Sequence, residues 1–217
     1  MKRYPWPLDR EHVFDVLAVI RQGGLVVYPT ETVYGIGVAL SAGDAGIERL
    51  RAAKRSPPGR PFILLAATTE MAFSLWSEVP LVGRMLGWSE WPGPLTLVGR
   101  ARDGLPAGVL GAVEEPGVDT MVQVPTVSVR VPGDPALRQL ITRLGEPILS
   151  TSANLAGQPT PVRLDAVDVE ALAPDLVLET ETCPGGTPST VLTIVEDPPR
   201  VLRQGAWRPA IEGSVEE

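Results

Sequence analysis

Apolar positions along this chain switch between a helical period and short buried runs, and the switches mark the elements. Val13, Phe14, Leu17 and Ile20 recur at helical spacing, with Asp9 placed as N-cap and Gly23-Gly24 as the stop. LVVYP, Leu25 to Pro29, predicts a buried strand, and TETVYGIG, Thr30 to Gly37, a polar loop. Asp44 is placed to cap a second helix carrying Ile47, Leu50 and Ala53, with Arg49, Arg51, Lys54 and Arg55 outward or at its end. SPPGRP, Ser56 to Pro61, predicts a rigid turn, and FILLAA, Phe62 to Ala67, the next buried strand.

Thr68 or Thr69 opens a helix with Glu70 in its first turn, and Pro80 suits the first turn of another through Leu81, Met85 and Leu86. WPGP, Trp91 to Pro94, predicts a turn, LTLVGRA a strand, and Glu114 to Gly117 another turn. TVSVRVP, Thr126 to Pro132, alternates residue by residue, as a strand does. Asp134-Pro135 starts a helix with Leu137, Leu140, Ile141 and Leu144 on one face and Gly145 as its end. PILS is a strand entering the polar loop STSANLAGQPTP, followed by a helix near Leu164 to Leu172. Then come a strand from Leu176 to Leu178, the loop CPGGTP, and the strands STVLTIV and RVLRQ. Helices and strands alternate, yet some strands are consecutive, so the pattern predicts an α/β fold on a mixed, parallel and antiparallel sheet. No repeat or compositional break divides residues 1–217, which read as a single domain with 208–217 as a flexible tail.

Composition narrows the classes. The 217 residues suffice to bury a core, and 44% apolar with 21% charged residues excludes general disorder. The 22 glycines and 23 prolines, without a glycine period, indicate a loop-rich fold and exclude collagen. A net charge of −7 argues against non-specific nucleic-acid binding. One cysteine, Cys183, excludes an internal disulfide framework, and one histidine, His12, excludes His-pair metal sites and argues against a Ser-His-Asp triad. The apolar stretch near Phe62 to Ala67 is far shorter than the ~18 residues of a membrane span. Asp9, Glu11 and Asp15 interrupt any signal-peptide region, so a cytoplasmic, reducing location is expected and no membrane partner.

Candidate chemistry lies in three polar loops that follow short apolar strands: TETVYGIG, STSAN and PSTV. Their hydroxyls and glycine N–H groups suit carboxylates and phosphates, although the same residues also build ordinary turns and caps. Lys54, Arg55 and Arg60 cluster beside a Pro-Gly turn, where they suit a polyphosphate or complement a helix end. Arg130 stands in an alternating strand and, if it faces inward, must be paired or bind an anion. No Walker lysine loop and no GxGxxG fingerprint is present. Glu114-Glu115 read as a solvated turn, His12 as structural or exposed, Trp88 and Trp91 as core or turn anchors, and Cys183 as packing.

The segments GGLVVYPTETVYGIG, the lysine turn before PFILLAA, WPGPLTLV, TVSVRVP, STSANLAGQPTP, PSTVLTI and VLRQGAW follow one another from Gly23 to Trp207. In that order they resemble the threonylcarbamoyl-AMP synthase family, the YrdC-like proteins of tRNA modification. The resemblance implies a twisted mixed sheet flanked by helices, with a concave ligand cavity. It implies a reaction joining L-threonine, bicarbonate and ATP into threonylcarbamoyl-AMP and pyrophosphate, with a separate transferase acting downstream on a tRNA adenosine beside the anticodon. Carried onto this sequence, Thr30, Arg130, Ser150 and Ser189 hold threonine; Lys54, Arg60, Thr126, Ser152, Asn154 and Arg203 face ATP; and Lys54, Ser152 and Asn154 are the catalytic candidates. Mg²⁺ is expected to arrive with the triphosphate, with no dedicated protein ligands.

This sequence departs from the family pattern at Ser56, which stands where the family commonly has an arginine two residues after the lysine. Arg55 is displaced by one position, about 100° around a helix, and Arg60 is placed to supply the charge. Some relatives carry an extra C-terminal domain; this chain reads as a single-domain form. Three other readings stay open: a divergent paralogue binding a nucleotide or small acid without synthase activity, a module binding double-stranded or transfer RNA, and a carbamoyl-transfer relative of hydrogenase maturation proteins.

Overall fold

Among the described residues eleven short strands build one sheet: β1 (Lys2–Pro5), β2 (Val26–Tyr28), β3 (Gly35–Ala39), β4 (Ile63–Leu65), β5 (Leu95–Arg100), β6 (Gly111–Pro116), β7 (Met121–Arg130), β8 (Ile148–Ser152), β9 (Leu176–Glu179), β10 (Thr190–Thr193) and β11 (Arg200–Arg203). The α-helices among the described residues are α1 (Val13–Arg21), α2 (Gly43–Ala53), α3 (Thr69–Phe73), α4 (Leu81–Glu90), α5 (Pro135–Leu144) and the single turn α6 (Val169–Leu172). This computed structural model describes residues 1–57, 59–116 and 121–208. The strand order is β1-β9-β2-β3-β8-β4-β7-β5-β10-β11, with β6 paired to β7 alone. The pairs β1·β9, β2·β9, β4·β7 and β5·β10 are parallel, and the others are antiparallel, as the mixed pattern predicts.

Side-chain alternation sorts this sheet into two faces. Ile63 stands opposite Ser128 and Ser150, and Leu65 opposite Arg130. Ile63, Leu65, Thr126, Ser128, Arg130, Ser150 and Ser152 therefore share one face, and Leu64, Val127, Val129 and Leu149 the other. The second set is buried with Ile47 and Leu50 of α2, and each such side chain stabilises the fold by about 1.5–3 kcal/mol. On the first face, α1 and α5 cover the part formed by β9, β2 and β8. Leu17, Ile20, Leu137 and Ile141 pack there on Val26, Tyr28, Ile148 and Leu176. Helix α5 starts where the sequence places it: Asp134 Oδ1 accepts the N–H groups of Ala136 and Leu137 at 2.8 and 3.1 Å, and Gly145 ends it at φ 86°. Beyond α1 and α5 the same face is open, and the polar residues of β7 and β8 stand on it.

The structure corrects several sequence expectations. Gly35 to Gly37 begin β3 and are not loop. Glu114 and Glu115 lie in β6, in a hairpin with β7, and the expected turn's last residue, Gly117, is outside the described residues, as is the tail from 209. The segment 164–172 is a 3₁₀ turn and one turn of helix, not one helix. Asp44 caps no helix; it accepts the Gly108 N–H at 3.2 Å. Arg51 does not face outward: it is buried, donates to the carbonyls of Pro57 and Arg60, and lies 5.1 Å over the Phe62 ring. Trp91 is buried, whereas Trp88, Leu81 and Met85 are exposed on α4. Strand β1 was not legible, because its polar residues are ordered by pairing to β9 at the sheet edge. Among the described residues no helix is long and apolar enough to cross a membrane.

Candidate active site

The open part of the sheet face is the floor of a cleft of about 440 Å³. Thr126, Ser128 and Arg130 of β7, Ser150 and Ser152 of β8, and Ile63 and Leu65 of β4 form the floor; Thr30, Arg60, Ser189 and Arg203 stand on its walls. Eight sequence-predicted residues thus meet in one place: Thr30, Arg60, Thr126, Arg130, Ser150, Ser152, Ser189 and Arg203. Lys54 and Asn154 do not line it. Among the described residues three arginines and no Asp or Glu line the cleft. Burial first, and then the charges of Arg60 and Arg130, hold the Arg203 guanidinium below its ordinary value, so the three cations share one field.

The TET loop is wound around the Thr30 hydroxyl. Thr30 Oγ1 accepts the N–H groups of Thr32 and Val33, both at 3.1 Å, and lies 2.7 Å from the Val33 carbonyl oxygen, to which it donates. Arg130 is buried and held from three sides. Nε donates to the Gly93 carbonyl at 3.0 Å, one terminal nitrogen to Thr32 Oγ1 at 3.2 Å, and the other to Glu31. Inward-facing Arg130 is therefore paired, one of the two outcomes the alternation requires.

Ser150 Oγ accepts the Tyr28 hydroxyl at 2.6 Å, which leaves its own O–H for the cleft. Burial pushes the Tyr28 phenol well above its ordinary range, so it stays a donor. The Tyr28 ring reaches Ser150 by crossing β3 where β3 has no side chains. A Cβ on Gly35 would meet the ring at 2.9 Å, and one on Gly37 would meet the phenol oxygen at 2.8 Å. That is the physical reason for the Gly-x-Gly in TETVYGIG. On the opposite wall Ser189 Oγ shares a 2.8 Å hydrogen bond with Thr96, and Arg203 donates to the Ser189 carbonyl at 2.8 Å.

Lys54 follows α2 and does not line the cleft. Its ammonium donates to the carbonyls of Ser152 and Asn154, the latter at 2.8 Å, and its own carbonyl accepts the Ala156 N–H at 2.9 Å. Burial, aided by the charge of Arg60, pushes it down to about 8. Asn154 donates to the carbonyls of Leu155 and Gln158 at 3.0 and 2.7 Å, while its Oδ1 is buried without a hydrogen bond. Lys54 is thus a clamp on the STSAN loop. Of the basic cluster Lys54, Arg55 and Arg60, only Arg60 lines the cleft; Arg55 is exposed with φ 51°.

Sequence reasoning missed Ser128, Thr32 and Glu31. Ser128 was findable, since it shares the parity of Thr126 and Arg130 on one strand. Glu31 was not, because its partner Arg130 is 99 residues away. Cys183 is buried, and burial pushes its thiol up to about 11, in keeping with packing. His12 packs with a tilted ring against Tyr4, pairs with Asp9, and does not line the cleft.

A mixed sheet with one face opened as a hydroxyl-rich, arginine-lined cleft defines an α/β protein whose cleft has the chemistry to suit anions. Within that class the chain belongs to the Sua5/YciO/YrdC family, whose model, described as "Telomere recombination", matches residues 18–205. The chain is 34% identical over 187 residues to the threonylcarbamoyl-AMP synthase of Pyrococcus abyssi, covering 86% of this chain and 52% of that one. It is 32% identical over 194 residues to the threonylcarbamoyl-AMP synthase of Vibrio campbellii, covering 88% of this chain and 97% of that one. Among solved structures, P. abyssi Sua5 complexed with L-threonine superposes with a TM-score of 0.81 at 32% identity, over 94% of this chain and 57% of that one. The chain thus spans about half the length of the P. abyssi relative.

Proposed function

We propose that this protein is an L-threonylcarbamoyladenylate synthase, a nucleotidyltransferase using L-threonine, bicarbonate or carbon dioxide, and ATP. The observation that carries this is the convergence of Arg60, Arg130 and Arg203 on one cleft that, among the described residues, has hydroxyls between the cations and no carboxylate. Such a site takes two anionic substrates side by side. Arg130, with Thr30, Ser150 and Ser189, takes the amino acid and pairs with its carboxylate. Thr126, Ser152, Arg60 and Arg203 take the nucleotide, and Lys54 and Asn154 hold the loop that carries Ser152.

The chemistry asks for positioning and charge stabilisation more than for a protein nucleophile. The neutral amine of threonine adds to carbon dioxide, giving a carbamate and releasing one proton. A carbamate oxygen attacks the α-phosphorus of ATP; that P–O bond forms as the bond to pyrophosphate breaks. The guanidiniums of Arg60 and Arg203 are placed to balance charge on the phosphates. Magnesium arrives with the triphosphate. The cleft lining is rich in hydroxyls, and phosphate oxygens and water would hold most of the ion's coordination sites. The product then passes to a separate transferase that modifies a tRNA adenosine.

The test is pyrophosphate release from ATP and Mg²⁺, with threonine and bicarbonate each present or omitted. Release that needs both supports the synthase. A folded protein that binds ATP or threonine yet releases nothing is instead a divergent paralogue, with Arg60 failing to replace the arginine absent at Ser56.

A further inference from the structure

Arg130 has five N–H donors, and three are spent inside the protein: on the Gly93 carbonyl, Thr32 Oγ1 and Glu31. One N–H remains on each terminal nitrogen, two donors that a carboxylate can accept. Of these three partners Glu31 is the charged one. Its backbone is clasped by the CPGG loop, with its carbonyl accepting the Gly185 N–H at 2.8 Å, as the Thr32 carbonyl accepts that of Gly186. Its side chain lies against Gly133, where a Cβ would meet Cγ at 2.9 Å. Glu31 Oε2 is buried with no hydrogen bond, so Arg130 alone compensates this carboxylate. Glu31 cannot turn away without leaving the buried Arg130 without its ionic partner. Glu31 does not line the cleft and so acts only through Arg130.

We propose that Glu31 is a positioning residue for the amino-acid substrate, holding Arg130 so that one N–H of each terminal nitrogen faces the cleft. This rests on the reading of the cleft as a threonine site. It gives the TET motif a division of labour: Thr30 lines the amino-acid site and shapes its loop, while Glu31 and Thr32 aim the arginine.

The experiment is calorimetric titration of L-threonine, L-threoninamide and ATP into the whole chain, wild type and Glu31→Gln, with thermal melting of each. Threoninamide lacks the carboxylate, so it separates the aim of Arg130 from the general integrity of the pocket. Glu31→Gln is expected to weaken threonine at least about tenfold, as the loss of a charge-assisted contact does, with threoninamide and ATP within about twofold. Glu31→Asp, which keeps the charge but withdraws it by one methylene, is expected to weaken threonine similarly. If Glu31→Gln does not fold, Glu31→Asp and Thr32→Val carry the test. Unchanged or tighter threonine binding in a folded variant would overturn the proposal, as would equal losses for all three ligands. Failure of the wild type to bind threonine would overturn the substrate reading beneath it, a result distinct from either.

Discussion

Arg130 is buried and pairs with a half-buried Glu31, and this decides what the simplest substitution reports. Arg130→Ala leaves a half-buried carboxylate without its partner, which is expected to cost about 1–3 kcal/mol of stability in urea unfolding, before any loss of threonine binding is read. Arg130→Met combined with Glu31→Gln is expected to recover most of that stability and still not bind threonine. Lys54 makes a second residue-scale prediction, through pH. Its ammonium is pushed down from 10.5 to about 8 in the fold, so between those values the unfolded chain holds a proton the folded chain lacks. Stability is therefore expected to rise with pH across that window, and Lys54→Met to flatten the rise in melts taken from pH 7 to 10.5. At this scale the sequence was informative about which residues matter and less so about how. Arg130 was marked by alternation and by the motif resemblance alike. Lys54 was marked as a nucleotide ligand, yet it is tied to the carbonyls of the STSAN loop, a contact across 98 residues that no local pattern encodes.

At the scale of elements, what sequence reads well is what is determined locally. Helix α5 was legible end to end, since Asp134, Pro135, the apolar stripe and Gly145 each act within a turn of their own position. Strand β3 was not, because two glycines in five residues read as loop. Their cause is tertiary: Tyr28 crosses β3 to reach Ser150, and Gly37 also faces the Leu149 carbonyl at 2.2 Å from where a Cβ would stand. Gly37→Ala is accordingly expected to destabilise by about 1–3 kcal/mol through overpacking, and to weaken threonine by displacing Tyr28 from Ser150. Chemical denaturation and threonine titration check the two effects. The β6–β7 hairpin was also missed, because Glu114 and Glu115 read as a turn while β7 supplies their pairing.

At the scale of the whole molecule, a chain of net charge −7 gathers three arginines at one cleft. The mixed sheet and the cleft follow from the same alternation: one face is closed by helices on part of its width and left polar on the rest. Arg60 is the member whose role the family pattern does not settle, because Ser56 replaces the arginine expected nearby. Arg60→Ala is expected to weaken ATP about tenfold to a hundredfold, the range for one charge-assisted phosphate contact, and to leave threonine nearly unchanged. The wild-type affinity for ATP is also expected to fall with added salt, as screening requires.

The central claim is that the two halves of the cleft join their ligands through one carbon atom taken from bicarbonate. The most direct measurement is incubation with ¹³C-bicarbonate, L-threonine, ATP and Mg²⁺, followed by mass spectrometry of the nucleotides. The expected result is threonylcarbamoyl-AMP carrying one ¹³C, absent when threonine is omitted. Recovery of unreacted ATP, or of AMP without the label, from a protein shown to bind both substrates would contradict it.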